Sequence, residues 1–355
     1  MKIKNILVIR FRRVGDSVLG TVICSSLRKT FPDAQIDYVL NENIASLYDH
    51  HPDIDHIITF NDEENHNLPK YLYKVWSTMR GKKYDVIIDM RSTVRTLIFS
   101  LFSPCTPFRI GSKKKYNFGL NNYSIDNHND YTKDMVEQNL MLLQPLEKIA
   151  DVKYTTDFKL YVTEDEKNSF HTYMENQGID FTRFVMLATV SARLEHKIWD
   201  KEKMKTVLLK MIEKYDIQII FNYAGSEELF AKNMHKEMGF DKHIFTNIKA
   251  ESLRELCSLT SNCNLFFGNE GGPRHIAQAF NIPSYAIFPP GILKSVWLPN
   301  SGNRFQGISP DDLYSKKEQK DRTYQERFNL ITTDLVWSGV DKFLSDHIQT
   351  GYFRS

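Results

Sequence analysis

Asp16 is the first residue of the chain whose type and place could do chemistry. It closes the loop Arg10-Phe-Arg-Arg-Val-Gly-Asp16, which follows the short apolar run at residues 6–9. A carboxylate held at the mouth of a cleft can take a proton from an attacking hydroxyl. An aspartate there also caps a following helix well, so position alone leaves both readings open. Arg12 and Arg13 flank it, Arg91 and Arg95 follow the apolar run at 86–90, and Arg109 with Lys113, Lys114 and Lys115 surrounds the run at 108–111. If those runs are parallel strands, the cations face one crevice. The arginine fork suits phosphate or carboxylate, so Arg12, Arg13, Arg91, Arg95 and Lys113 are candidate contacts to an anionic acceptor. Scattered solvated charge is the plain alternative, above all for the lysine run.

The later part of the chain offers a different chemistry. In Leu265-Phe-Phe-Gly-Asn-Glu-Gly-Gly-Pro-Arg-His275 an apolar run enters a glycine-rich turn, and Pro273 stands where a helix would open. Free amides at such a start, together with the helix dipole, favour a phosphate. Gly271 and Gly272 would let a diphosphate approach the backbone. The segment Ala188-Thr-Val-Ser-Ala-Arg-Leu-Glu-His-Lys-Ile-Trp199 carries Ser191, Arg193 and Lys197 after another apolar run. A cation here would neutralise a leaving diphosphate without a metal. Trp199 reads as a packing residue before a base-stacking one.

These residues need elements to hold them. Apolar runs at 6–9, 36–40, 54–60, 86–90 and 108–111 read as strands, with helical spacing at 18–27 and 92–101 between them. Residues 120–134, rich in Asn and Asp, read as a long loop. A helix is expected at 133–149, bent or stopped near Pro145, then a strand at 158–162 and a capping box at Thr163–Glu166. The alternation resumes with strands at 184–188, 217–221, 243–246, 265–268 and 285–288. Helices are expected near 201–215, 227–238, 253–260 and from Pro273. Strand alternating with helix means parallel sheets, and 355 residues exceed one core. The expected class is α/β: two Rossmann-like domains at 1–160 and 161–330, then a helix and tail at 331–355. Ligands bind such sheets at their carboxyl edges, so a cleft between the two halves is expected.

Taken together, Val14-Gly15-Asp16, Lys197-Ile-Trp199 and Gly268-Asn-Glu-Gly-Gly-Pro-Arg-His-Ile-Ala277 resemble glycosyltransferase family 9, the bacterial heptosyltransferases. Pro283, Phe288-Pro-Pro and Trp297-Leu-Pro299 continue the likeness, which runs in order from about residue 3 to 300. The resemblance implies a GT-B fold, inverting chemistry without a metal or other cofactor, and a nucleoside-diphosphate sugar donor, ADP-heptose in the best-known members. Acceptors in that family are lipopolysaccharide-core intermediates at the inner face of the cytoplasmic membrane. Residue by residue, it implies Asp16 as catalytic base and Lys197 on the donor phosphates. Gly272, Pro273 and His275 match the phosphate-binding helix start, and Glu227 lies near the nucleoside. The family usually has Asp-Thr or Asp-Ser where this chain has Glu270-Gly271, which puts the sugar's identity in question. A carboxylate at Glu270 is also favoured by a helix N-terminus alone. The usual Gly-Pro is Pro289-Pro290-Gly291 here, at the base pocket.

Composition narrows the rest. A net charge of +2 lacks the basic field that general nucleic-acid binding needs. The four cysteines form no CxxC and are expected to be buried free thiols in a reducing compartment. The apolar start is too short for a signal peptide, and no stretch approaches a membrane span. A cytoplasmic protein is expected, its basic first half meeting anionic lipid at the membrane reversibly. Neither GxGxxG, HExxH nor GxSxG occurs, which disfavours a dinucleotide-dependent oxidoreductase, a zincin and a hydrolase. Asp53-Ile-Asp55 reads as a turn, not a metal motif. The remaining alternative is a nucleotide-sugar binding relative that has lost activity.

Overall fold

The computed structural model describes residues 2–117, 119–127 and 131–349. The chain divides into two compact units, Met1–Tyr161 and Val162–Ser355. The first holds a six-stranded sheet: β1 (Asn5–Ile9), β2 (Gln35–Asn41), β3 (His56–Phe60), β4 (Val86–Asp89), β5 (Phe108–Ser112) and β6 (Tyr123–Ile125). Every pairing is parallel, in the order β3-β2-β1-β4-β5-β6. The second unit holds β7 (Val185–Thr189), β8 (Gln218–Phe221), β9 (Ile244–Phe245), β10 (Leu265–Asn269), β11 (Ser284–Ile287) and β12 (Phe305–Ile308). Its order, β12-β11-β10-β7-β8-β9, is the first pattern over again, and it too is parallel throughout. Both are doubly wound Rossmann-like sheets whose order reverses at β1/β4 and at β7/β10. Leu7, Val8, Ile9 and Ile87 are fully buried, as strands covered on both faces require.

Helices cover these sheets through apolar stripes. Helix α1 (Val14–Thr30) packs Val18, Leu19, Val22, Ile23 and Leu27 inward. Helix α2 (Leu68–Gly81), to which the sequence reading assigned nothing, buries Tyr71, Val75 and Met79. Asn67 caps it and Pro69 stands in its first turn, signals that were available. In the second unit α3 (Lys201–Tyr215) and α4 (Gly272–Ala279) follow β7 and β10. Helix α5 (Thr333–Gln349) adds Val336, Val340, Phe343 and Leu344 to that unit's core, beside Trp199. The tail at 350–355 lies outside the described residues, as do 128–130 of the expected long loop.

Five local expectations change. The helix expected over 92–101 begins only at Leu97. Asp89 captures the amides of Arg91 and Ser92, and Ser92 takes a positive φ of 48°, outside the helical region; Thr93 and Thr96 then bond each other's amides in the manner of a capping box, so the helix starts after them. The helix at 133–149 is Met135–Leu140 followed by a 3-10 stretch, Met141–Lys148, around Pro145, whose missing N–H breaks the α ladder. The loop at 120–134 contains β6, and 158–162 is extended without pairing in a sheet. Cys24, Cys257 and Cys263 are buried free thiols, but Cys105 is exposed in the turn before β5.

Candidate functional site

Each sheet concentrates its chemistry at its reversal point. In the first unit β1 ends at Ile9, level with Asp89 at the end of β4. The chain then turns through Arg12 and Arg13, both non-glycine residues with positive φ, 69° and 45°. The Arg12 amide donates to Asn41 Oδ1 at 2.7 Å, which holds the turn. Consecutive residues in this conformation are strained, and such strain gathers at functional sites. Asp16 lies in the first turn of α1. The N-cap residue is Arg13, and no side-chain cap bond is made there. The carboxylate is therefore committed elsewhere than to capping.

Its partner is Arg10, a residue to which the sequence reading gave no role. The Arg10 side chain is buried, and its Nη2 meets Asp16 Oδ1 at 2.7 Å. Its Nε donates to the Asp16 carbonyl at 3.3 Å and its Nη1 to the Met90 carbonyl at 3.0 Å. One guanidinium thus ties the ends of β1 and β4 to the first turn of α1 and fixes the carboxylate. A charge ending a buried strand was the available signal. Asp89 braces the opposite side, its Oδ1 accepting from the Arg91 and Ser92 amides at 3.0 and 2.8 Å. Burial pushes the Asp89 carboxyl up to about 6, against these hydrogen bonds and the nearby Arg91 charge. Arg91 is half-buried. Burial and the charges of Arg10 and Arg12 press its guanidinium below the usual arginine range, while Asp16 and Asp89 pull the other way.

Asp16, Arg10, Arg12 and Arg91 therefore share one electrostatic neighbourhood. Arg13 is exposed beside Arg12, and Lys113 is exposed just past β5. Not every expected cation joins them. Arg95 bonds the Asn65 carbonyl and lies over the Tyr71 ring, 5.6 Å from its centroid. Arg109 is spent on the carbonyls of Pro104, Thr106 and Leu120. The Asp53-Ile-Asp55 segment is structural: Asp53 accepts from Ser25, and Asp55 from Arg28 and the Ile36 amide. Among the described residues no cluster of His, Cys, Asp or Glu could hold a metal ion.

In the second unit β7 and β10 lie side by side, and their ends are stitched by Asn269. Its Nδ2 donates to the Thr189 carbonyl at 3.1 Å and its Oδ1 accepts the Trp199 amide at 2.9 Å. Thr189 Oγ1 returns a bond to the Asn269 carbonyl. Trp199 is buried and donates to the Ile331 carbonyl, so it packs and does not stack on a ligand. The stitch fixes the backbone two residues after Lys197. Among the described residues the Lys197 ammonium has no ion pair, yet its charge acts on Glu270. Gly268 makes the close approach possible: at φ +132° an added Cβ would sit 2.3 Å from the Thr189 carbonyl oxygen.

Glu270 enters α4 nearly buried, with His275 Nε2 at 3.5 Å and Arg274 Nη2 at 4.0 Å. Burial alone would raise its carboxyl. The His275 hydrogen bond and the charges of Arg274, His275 and Lys197 outweigh burial and hold it below its ordinary range. Arg274 is fully buried, which pushes its guanidinium down to about 10 against the pull of Glu270. It donates to Gln278 and to the Trp297 carbonyl, binding α4 to the short helix Lys294–Trp297 after β11. Gly271 is the N-cap of α4, in extended backbone, and an added Cβ would meet only Pro273 Cδ at 3.8 Å. It is an open place at the helix start, not one that its conformation reserves for glycine. Gly272 and Pro273 open the helix. On the opposite side of β7, Ser191 Oγ donates to Glu227 Oε2 at 2.9 Å, while Arg193 is exposed. Free amides, a cation and two carboxylates here can take a diphosphate and hydroxyl groups.

Comparisons with known proteins bear on the family and the fold. The model of "Glycosyltransferase family 9 (heptosyltransferase)" matches residues 72–324. Lipopolysaccharide heptosyltransferase 1 of Campylobacter coli is 24% identical over 288 residues, which is 80% of this chain and 83% of that one. A solved glycosyltransferase family 9 protein from Veillonella parvula superposes with a TM-score of 0.80 at 17% identity, covering 98% of each chain. E. coli ADP-heptose lps heptosyltransferase II gives 0.74 at 18% identity, over 96% of this chain and 99% of that one.

Proposed function

This chain belongs to glycosyltransferase family 9, and from that premise we propose that it moves a heptose or similar sugar from a nucleoside-diphosphate donor onto a lipopolysaccharide-core or related glycan. The fold is GT-B and the protein is a glycosyltransferase. The donor is read as ADP-linked, since a solved relative is described as an ADP-heptose transferase. The observation that carries the reading is Asp16, held by the buried Arg10 where the order of the first sheet reverses, together with Lys197, whose charge reaches Glu270 at the entry to α4.

In the proposed step Asp16 takes the proton of the acceptor hydroxyl. The freed oxygen attacks the anomeric carbon, and the bond from that carbon to the diphosphate oxygen breaks with inversion. The electron pair leaves on the diphosphate, whose charge Lys197, the amides at Gly271 and Gly272, and His275 stabilise. Ser191 and Arg193 add contacts to the phosphates. Glu270 holds donor-sugar hydroxyls, Glu227 the nucleoside, and Arg12, Arg13 and Arg91 the anionic acceptor. No metal is assigned a role, because Lys197 and the helix start supply the positive charge. The place of action is the cytoplasmic side of the inner membrane, with the protein bound peripherally; among the described residues no helix is long and apolar enough to cross a membrane.

Thermal stabilisation by ADP, GDP, UDP, dTDP and NAD, with and without EDTA, tests the reading. ADP is expected to raise the melting temperature most, unchanged by EDTA. A response to NAD alone, or one abolished by EDTA, would overturn it.

A further inference from the structure

Helix α2 has two faces of unlike purpose. Tyr71, Val75 and Met79 join the first unit's core with Phe11, Phe60 and Phe99. The outer face should be polar by the usual logic of a surface helix. Instead Leu68 is 50% exposed, Tyr73 69% and Trp76 43%. The Tyr73 and Trp76 rings lie together at 6.0 Å, and the Arg80 guanidinium sits 5.7 Å from the Trp76 ring.

The charges around this face do not cancel evenly. Lys70 and Lys74 are neutralised by Glu63 and Glu64, and Lys82 by Asp37. Arg80, against the Trp76 ring, and Lys83, exposed two residues past the end of the helix, form no ion pair among the described residues. The charge beside the exposed rings is therefore that of Arg80, while the exposed Asp62 lies on the short helix that precedes the other end of α2. Tyr and Trp are the side chains that favour the polar–apolar boundary of a bilayer. Basic residues beside them favour anionic headgroups.

We propose that the outer face of α2 is the surface that docks this protein on anionic lipid, with Tyr73 and Trp76 set into the interface and Arg80 and Lys83 on the headgroup phosphates. The inference rests on the peripheral membrane action proposed above and names the surface that performs it. It is independent of sugar transfer, since none of these residues belongs to the candidate site.

The test is co-sedimentation of the full chain with phosphatidylcholine vesicles, made with and without phosphatidylglycerol. Two double variants are compared with the unaltered chain, Tyr73→Ser with Trp76→Ser and Arg80→Glu with Lys83→Glu. Circular dichroism and the ADP melting shift report that each variant is folded. The unaltered chain is expected to bind the phosphatidylglycerol vesicles in a salt-sensitive way. The aromatic double variant is expected to lose about tenfold or more in partitioning. The charge variant should lose at least about fivefold per residue on anionic vesicles only, since each substitution removes a basic residue and adds a repelled carboxylate. Binding that neither variant changes would overturn α2 as the surface and leave peripheral action standing. No vesicle binding by the unaltered chain would overturn both, while the ADP response would still stand for the transferase. Self-association removed by the aromatic variant, without vesicle binding, would reassign the face to a second copy.

Discussion

Replacing Arg10 by Met keeps the stem of the side chain and removes only the guanidinium. The residue is 4% exposed, and its three contacts go to the Asp16 carboxylate, the Asp16 carbonyl and the Met90 carbonyl. Removing one member of a buried ion pair costs about 3–5 kcal/mol, because the other charge stays behind unpaired. Asp16 retains 13% side-chain exposure and lies in a helix first turn, where a carboxylate is favoured by about 0.3–1 kcal/mol. The lower end, about 3 kcal/mol, is therefore expected. At about 2–4 °C per kcal/mol for a domain of this size, the melting temperature should fall by about 6–12 °C. A displaced base should lower kcat about a hundredfold, the smaller part of what general-base catalysis contributes, with the donor KM unchanged. Arg10→Lys should recover part of the activity through the charge, without the bond to Met90. Calorimetry and nucleoside-diphosphate release measure the two effects, and a cycle with Asp16→Asn isolates the pair. A melting point within about 2 °C of the unaltered chain, or a coupling near zero, would refute the clamp.

Gly268→Ala should cost about 3–5 kcal/mol, since the Cβ meets a backbone oxygen and φ is positive; urea unfolding measures it, and a loss under about 1 kcal/mol would contradict the close β7–β10 approach. Asp89→Asn tests a burial effect with a defined sign. The folded carboxyl, near 6 against an ordinary 3.8, holds its proton longer than the unfolded chain does, so stability falls as pH rises through that window. The asparagine variant should gain up to about 3 kcal/mol over the unaltered chain at pH 8 and almost nothing below about pH 3; the reverse trend would refute it. Lys197→Met should weaken nucleoside-diphosphate binding about tenfold or more by titration calorimetry. Its melting temperature should fall only slightly, because the ammonium has no ion pair among the described residues and only its pull on Glu270 is lost.

Some of this was open to reading in the sequence, for physical reasons. Strands buried on both faces carry unbroken apolar runs, so β1, β4, β7 and β10 stand out, as does the glycine-and-proline entry to α4. Asp16 and Lys197 were visible because they follow such strands. Arg10 was not, because a charged residue at the end of a run reads as the run's end; only the Met90 carbonyl, 80 residues away, shows what it holds. Asn269 and Arg274 were hidden for the same reason, their partners lying on Thr189, Trp199 and Trp297. The expected helix over 92–101 starts late because Asp89 takes the Arg91 and Ser92 amides and Ser92 turns to positive φ, a local competition that periodicity does not register. Arg95 and Arg109 show the limit of inferring direction from position. Arg95 follows β4 and Arg109 lies in β5, and both are engaged away from Asp16.

The central claim is that Asp16 acts on the acceptor while the second unit holds the donor. The most direct measurement compares Asp16→Asn with the unaltered chain, reading ADP binding by calorimetry and sugar transfer from ADP-heptose to a heptose-free lipopolysaccharide core. Unchanged ADP affinity with turnover lowered at least about a hundredfold is the predicted result. Full turnover by Asp16→Asn, with ADP still bound, would contradict it.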